Sequence, residues 1–205
     1  MGTCTYLGAS QIEFYRFKSL LRNNMTIENN LEKQPTFKIE IPEVGDEIFL
    51  APMHIQAWKD AYIVPESGLT EESIDKSLAH LLADTTFRKN TIIESLNRPD
   101  AVLYRIVKNS EGDIVGFLHG SKNEEFNELD AIYLLNEAKG TGVGGKLMKE
   151  FLEWSDETKP CRLEAFSFND SAIGFYIRYG FEKTDKELPL FRGLPVVEMI
   201  KPVEL

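Results

Sequence analysis

The run Lys139-Gly-Thr-Gly-Val-Gly-Gly-Lys-Leu147 packs four glycines into residues 140–145, between an apolar strand pattern and an amphipathic helix pattern. Glycine-rich turns let successive backbone N–H groups converge on one point, and a helix starting there adds the positive end of its dipole. The chemistry is anion binding, with a phosphate as the natural occupant. Three phosphate loops come close to this spelling: the G-x-G-x-x-G turn of dinucleotide folds, the G-x-x-x-x-G-K of P-loops, and the x-G-x-G-x-G turn of coenzyme A sites. A P-loop needs Ser or Thr after its lysine to hold magnesium, and Leu147 stands there with only 58 residues to follow. The dinucleotide reading gains from Glu164, about 20 residues past the glycines, where a ribose-binding acid is expected. It loses because Asn136-Glu-Ala-Lys139 separates the strand pattern from the first glycine, and because no second βαβαβ half follows.

A second motif lies downstream. Asn169-Asp-Ser-Ala172-Ile-Gly-Phe175-Tyr176-Ile-Arg-Tyr-Gly180-Phe181 opens behind the strand pattern Arg162–Phe168. Together the two motifs resemble the GCN5-related N-acetyltransferase (GNAT) superfamily. Its loop is Gln/Arg-x-x-Gly-x-Gly/Ala, matched by Lys139-Gly-Thr-Gly142-Val-Gly144, and its later block is Asn-x-x-Ala-x-x-Phe-Tyr-x-x-x-Gly-Phe. Ala57-Trp58-Lys-Asp-Ala-Tyr62 is similar to the first helix of many bacterial members, and the resemblance spans roughly Phe37 to Pro202. The one departure is Lys139 in place of Gln or Arg; a lysine meets a phosphate as a point charge, without the arginine fork.

The resemblance implies a transferase that moves acetyl from acetyl-CoA to a primary amine by direct attack, with no metal and no covalent enzyme intermediate. Acetyl-CoA would lie where two parallel strands splay apart, its pantetheine arm pairing with the backbone of Leu134 and Leu135 as an added strand does. Backbone N–H groups of Lys139, Gly140, Thr141, Gly142, Val143, Gly144 and Gly145 would hold the pyrophosphate, while the side chains of Val143, Leu147 and Phe151 form the core face of the helix. Asn169 is both a helix cap and the family's coenzyme contact. Tyr176 is the candidate general acid, since the departing thiolate needs a proton and a phenol can supply one. An amine of pKa about 10 must shed a proton before it attacks. Glu128 lies fourteen residues before Gly142, where histone-type members place a glutamate base, and Asp130 follows on the same strand face. A non-catalytic acyl-CoA-binding domain is the alternative. It keeps the glycine loop and has no use for Tyr176.

These residues need a scaffold. Phe37–Ile41 alternates as a strand, and Glu47–Tyr62 reads as a helix with Ile48, Ala51, Ile55, Trp58 and Tyr62 near one face. Thr70-Glu-Glu-Ser opens a second helix, running through Ile74, Leu78, Leu81 and Leu82. Ala101–Val107 and Ile114–His119 flank a Gly-containing turn and form a hairpin. Strand Leu129–Leu135, helix Val143–Trp154, strand Arg162–Phe168 and helix Ser171–Tyr179 follow, and Glu182–Leu190 with Val196–Lys201 closes the chain as a hairpin. The order is β-α-α-β-β-β-α-β-α-β-β, a mixed α/β (α+β) class. The resemblance specifies it as a mostly antiparallel twisted sheet with one splayed parallel pair and flanking helices.

Residues 36–205 are expected to form this domain. Residues 1–35 are expected to be an extension and linker, with a short amphipathic helix over Gln11–Arg22; Met25 is an alternative start. A formal charge of −10 argues against nucleic acid and leans toward a small cationic acceptor. Cys4 and Cys161 stand far apart and point to a reducing cytoplasm; no apolar run reaches membrane-span length, and His54, His80 and His119 have no zinc-like spacing. In this family the acceptor is chosen by the segments at Tyr62–Asp84 and Leu188–Val196. Neither carries a diagnostic motif. Homodimers are common in the family, and no residue pattern here establishes one.

Overall fold

The structure is a computed structural model describing residues 36–203; the expected N-terminal extension lies outside the described residues. The chain runs β1 (Lys38–Glu40), α1 (Glu47–Tyr62), a 3-10 turn at Pro65–Ser67, α2 (Glu71–Ala83), α3 (Thr86–Asn97), β2 (Val102–Lys108), β3 (Ile114–Lys122) and β4 (Asn127–Leu134). It continues through α4 (Val143–Trp154), β5 (Cys161–Phe166), α5 (Asp170–Ile177), β6 (Glu182–Lys183) and β7 (Val196–Lys201). The seven strands form one sheet in the order β1-β2-β3-β4-β5-β7-β6, and every neighbouring pair is antiparallel except β4–β5.

Alternation along the central strands separates two cores. Tyr104, Ile106 and Phe117 face α1 and α3, where Leu50, Met53, Ala57 and Ile92 pack on them. Leu103, Leu118 and Leu129 face the other way, onto Val143, Leu147, Met148 and Phe151 of α4. Those four helix residues follow a helical repeat and are each at most 3% exposed. At about 1.5–3 kcal/mol per buried side chain, this packing fixes the start of α4 against the sheet. Helix α2 begins as expected at Thr70: its Oγ1 accepts from Ser73 N, and Ser73 Oγ accepts from Thr70 N, a reciprocal capping box.

Two elements differ from the sequence reading. Helix α3 is additional. Its buried positions are Arg88, Ile92 and Ser95, so two of three inward residues are polar and no apolar period marks it. The expected strand Glu182–Leu190 is only Glu182–Lys183. Beyond it the chain leaves the sheet and returns through a tight turn, in which Arg192 (φ +53°) and Gly193 (φ +79°) connect the mutually bonded Phe191 and Leu194. The Arg192 guanidinium ties this turn to α2, with Nη1 2.8 Å from Ser77 Oγ and 3.0 Å from its carbonyl oxygen.

Candidate active site

Strands β4 and β5 pair at only two positions, Asn127 with Cys161 and Glu128 with Arg162. Two residues further on, β4 carries a bulge: His119 pairs with Ala131 and Gly120 with Leu129, leaving Asp130 without a partner in β3. A bulge bends its strand and sharpens the local twist, so β4 turns from β5 here. The gap is a cleft of about 580 Å³, walled by residues 129–134 and by Glu164 and Ala165. Tyr62, Lys139, four loop glycines, Asn169 and Tyr176 complete the lining. Along its open edge, Leu135 N–H donates to Val115 O at 2.8 Å and so faces β3. Alternation therefore turns the backbone of Leu134 and Ile132 toward the β5 side. Of the two residues expected to offer their backbone to the cleft, Leu135 has its N–H committed to β3, whereas Leu134 and Ile132 face the open side.

The glycine loop closes one end. Gly140 (φ +75°) and Gly142 (φ +86°, the N-cap of α4) are left-handed, and an added Cβ at either would meet nothing within 4 Å. Their conformation is what requires glycine, and open space lies beside them. At Gly145 an added Cβ would stand 2.7 Å from Tyr179 Oη, so the tyrosine side chain would have to move aside. Among the described residues the N–H groups of 140–145 make no hydrogen bond; Lys146 N–H is the first to bond back, to Gly142 O. Six consecutive donors thus surround an open space at a helix start, a match for a pyrophosphate. Lys139 is outside this set by its N–H, which donates to Asn136 O at 3.2 Å. Its Nζ lies 2.8 Å from Asn136 Oδ1 on the cleft wall, and burial lowers its pKa against the opposing pull of Asp60. The Thr141 hydroxyl is occupied by Ala138 O, and the Val143 side chain is buried, so both contribute N–H alone.

Three phenols meet at the cleft. The Tyr62 and Tyr133 hydroxyls are 3.4 Å apart, and Tyr176, 9% exposed, lines the same wall without a hydrogen bond from its hydroxyl among the described residues. Burial raises the pKa of all three, so each is a protonated donor at neutral pH. Asn169 caps α5 by accepting from Ala172 N, and its side chain also faces Tyr62. Behind Tyr133 sits His54, its ring centroid 4.4 Å away. Trp58 Nε1 donates to His54 Nε2 at 3.0 Å, and the Arg88 guanidinium faces Nδ1. Burial first, then Arg88 and Arg192, hold the His54 pKa down to about 3. This imidazole stays neutral and supports the wall.

The two candidate bases fare differently. Glu128 is not in the cleft wall. Its carboxylate is gripped by Arg162, with Nε at 3.0 Å and Nη2 at 2.5 Å, and by Asn123 Nδ2 at 3.1 Å. Asp130 does line the cleft, at the bulge, with its Oδ2 3.6 Å from His119 Nδ1. Burial raises the Asp130 pKa against the lowering effect of His119. No motif marks His119 or Ile132, and the sequence offers Tyr133 as a cleft residue without a role. The one available signal is strand pairing, which sets His119 opposite Ala131 beside Asp130. Among the described residues no group of three His, Cys, Asp or Glu side chains is placed to hold a metal ion, and no helix is long and apolar enough to cross a membrane.

No curated protein sequence matches the chain. Among solved structures, a PaiA N-acetyltransferase from Thermoplasma acidophilum in complex with coenzyme A aligns with a TM-score of 0.63 at 20% identity, over 80% of this chain and 98% of that one. A GNAT-family acetyltransferase from Staphylococcus aureus Mu50 gives 0.58 at 14% identity, over 82% and 100%. Ard1 from Thermoplasma volcanium gives 0.54 at 22% identity, over 82% and 99%. These likenesses establish the fold. The model of the acetyltransferase (GNAT) family matches residues 69–181, more than half of the sequence, and includes both the glycine loop and the block that ends at Phe181. The chain belongs to the acetyltransferase (GNAT) family.

Proposed function

We propose that residues 36–205 form an N-acetyltransferase that uses acetyl-CoA to acetylate a primary amine of a small molecule, cationic in solution. The observation that carries this reading is the continuity of the six unbonded N–H groups of Gly140–Gly145 with the open β4 edge at Leu134 and Ile132. A pyrophosphate fits the first, and an extended pantetheine arm pairs with the second. The thioester then falls near the bulge, between Asp130 and Tyr176. The amine nitrogen, freed of its extra proton by Asp130, forms a bond to the acetyl carbon as the carbon–sulfur bond breaks. Tyr176 protonates the departing thiolate, and the proton that the newly acylated nitrogen sheds restores the phenol. The formal charge of −10 supports a cationic acceptor through long-range attraction.

The test is thiol release from acetyl-CoA with a panel of polyamines, aminoglycosides, amino acids and N-terminal peptides, beside thermal-shift measurements with acetyl-CoA, ATP and NAD. Stabilisation by acetyl-CoA and turnover with at least one amine are expected. Stabilisation by ATP or NAD alone would overturn the reading, and acetyl-CoA binding without any turnover would favour a non-catalytic acyl-CoA-binding domain.

A further inference from the structure

The bulge that opens the cleft also puts two titratable side chains together. Asp130 is the extra residue of β4, and its register leaves it beside His119 on β3, with Oδ2 and Nδ1 3.6 Å apart. Asp130 is on the cleft wall, whereas His119 stands behind it, facing α3. The groups around His119 are Asp130, Glu94 and Arg88 from α3, and the Tyr104 ring of β2 at 5.5 Å. Those around Asp130 are His119, Ser121 and Glu128. His54, the other histidine near the site, is already fixed between Trp58 and Arg88. His119 has no such commitment; burial lowers its pKa, and Asp130 first, then Glu94, pull against that in favour of an added proton.

We propose that His119 is a positioning and proton-relay partner of Asp130. This rests on the acetyl-transfer reading and extends it. The acceptor ammonium gives one proton to the Asp130 carboxylate, leaving a neutral amine and a carboxylic acid. Asp130 passes that proton to the neutral His119 imidazole, which becomes an imidazolium, and His119 releases it to water on the α3 side. Asp130 returns to the carboxylate before the next turnover, and charge balances at each step. The 3.6 Å separation is longer than a hydrogen bond, so the relay requires a small rotation of the Asp130 carboxylate toward Nδ1.

The test compares wild type with His119→Asn, His119→Ala, Asp130→Asn and the double variant His119→Ala/Asp130→Asn, using spermidine, L-lysine and tryptamine as probe amines. Asparagine keeps a donor near the Nδ1 position but cannot carry a proton. Both His119 variants are expected to lower kcat about tenfold or more with little change in the KM for acetyl-CoA, and the double variant to be no slower than Asp130→Asn. The acidic limb of kcat/KM should move to higher pH in His119→Ala, because a protonated His119 favours the Asp130 carboxylate. An NMR titration reads the pair without turnover: Asp130→Asn should lower the His119 pKa. Wild-type kcat in His119→Asn overturns the relay, and so does a His119 pKa indifferent to Asp130→Asn. A wild-type protein silent with every amine defeats the acetyl-transfer reading itself, and the relay with it.

Discussion

Arg162 holds Glu128 with two nitrogens, Nε at 3.0 Å and Nη2 at 2.5 Å, on the last paired rung before β4 and β5 part. The Glu128 side chain is 14% exposed and Arg162 also reaches Glu198, so the carboxylate belongs to a small network under the cleft. Its chemistry is that of a strut. Glu128→Gln keeps the shape and removes the charge, which should cost about 1–3 kcal/mol of stability. The acidic limb of the pH–rate profile should move slightly to lower pH, because the Glu128 charge helps raise the Asp130 pKa, while kcat on the plateau stays near wild type. Thermal unfolding and the profile measure the two effects separately, and a collapse of plateau kcat with loss of the acidic limb would return Glu128 to the role of base.

Tyr176→Phe isolates the proposed acid. The Tyr176 hydroxyl makes no hydrogen bond among the described residues, so its removal leaves no partner stranded and the melting temperature should barely change. Loss of a general acid should lower kcat about 10²-fold with the acetyl-CoA KM nearly constant. Burial raises the phenol pKa, so the group stays protonated well above neutrality. The deficit should therefore be uniform from about pH 6 to 9, with no alkaline limb from this residue below about pH 10. Steady-state thiol release across that range checks both statements.

Gly142→Ala tests the anion site through the backbone. At φ +86° an L side chain is strained even though its Cβ has open space, at a cost of about 1–2 kcal/mol. Relief of that strain tilts the N–H groups away from their common focus. The acetyl-CoA KM should rise about 5–30-fold, the equivalent of that energy, with a smaller change in kcat. Calorimetric titration with coenzyme A gives the same quantity without turnover.

The glycine-loop end of the cleft is legible in the sequence because backbone requirements there are written as residue types. Gly140 and Gly142 are glycine for their left-handed conformation, and the Asn169–Phe181 block spells out a cap and a core helix. The helices with an apolar stripe, α1 and α4, have the expected bounds. Helix α3 was hidden because its inward face is Arg88, Ile92 and Ser95, stabilised by contacts with His54 and Phe117 that no local pattern encodes. Which of Glu128 and Asp130 reaches the cleft was equally out of reach. That placement depends on a one-residue bulge and on Arg162, which lies thirty-four positions away from Glu128 in the chain. Leu134 and Leu135 differ only in which neighbour their backbone faces, a matter of pairing register.

His54 should set the acid limit of the fold. It is half-buried, its Nε2 accepts from Trp58, and its Nδ1 faces the Arg88 guanidinium, so an added proton finds no acceptor. The folded pKa is lowered to about 3, against an ordinary value of about 6.5. Below pH 6.5 the unfolded chain therefore binds a proton that the folded one refuses. The sign follows: His54 contributes stability that is fully present above about pH 6.5 and is lost as pH falls toward about 3. Within that window the slope is about 1.4 kcal/mol per pH unit for this one group. Urea unfolding at a series of pH values should show that slope in wild type. In His54→Gln, which retains an acceptor for Trp58 and does not titrate, the slope between pH 6.5 and 4 should be shallower by this amount. An unchanged slope would mean that His54 is protonated in the folded protein, with Arg88 turned away from it.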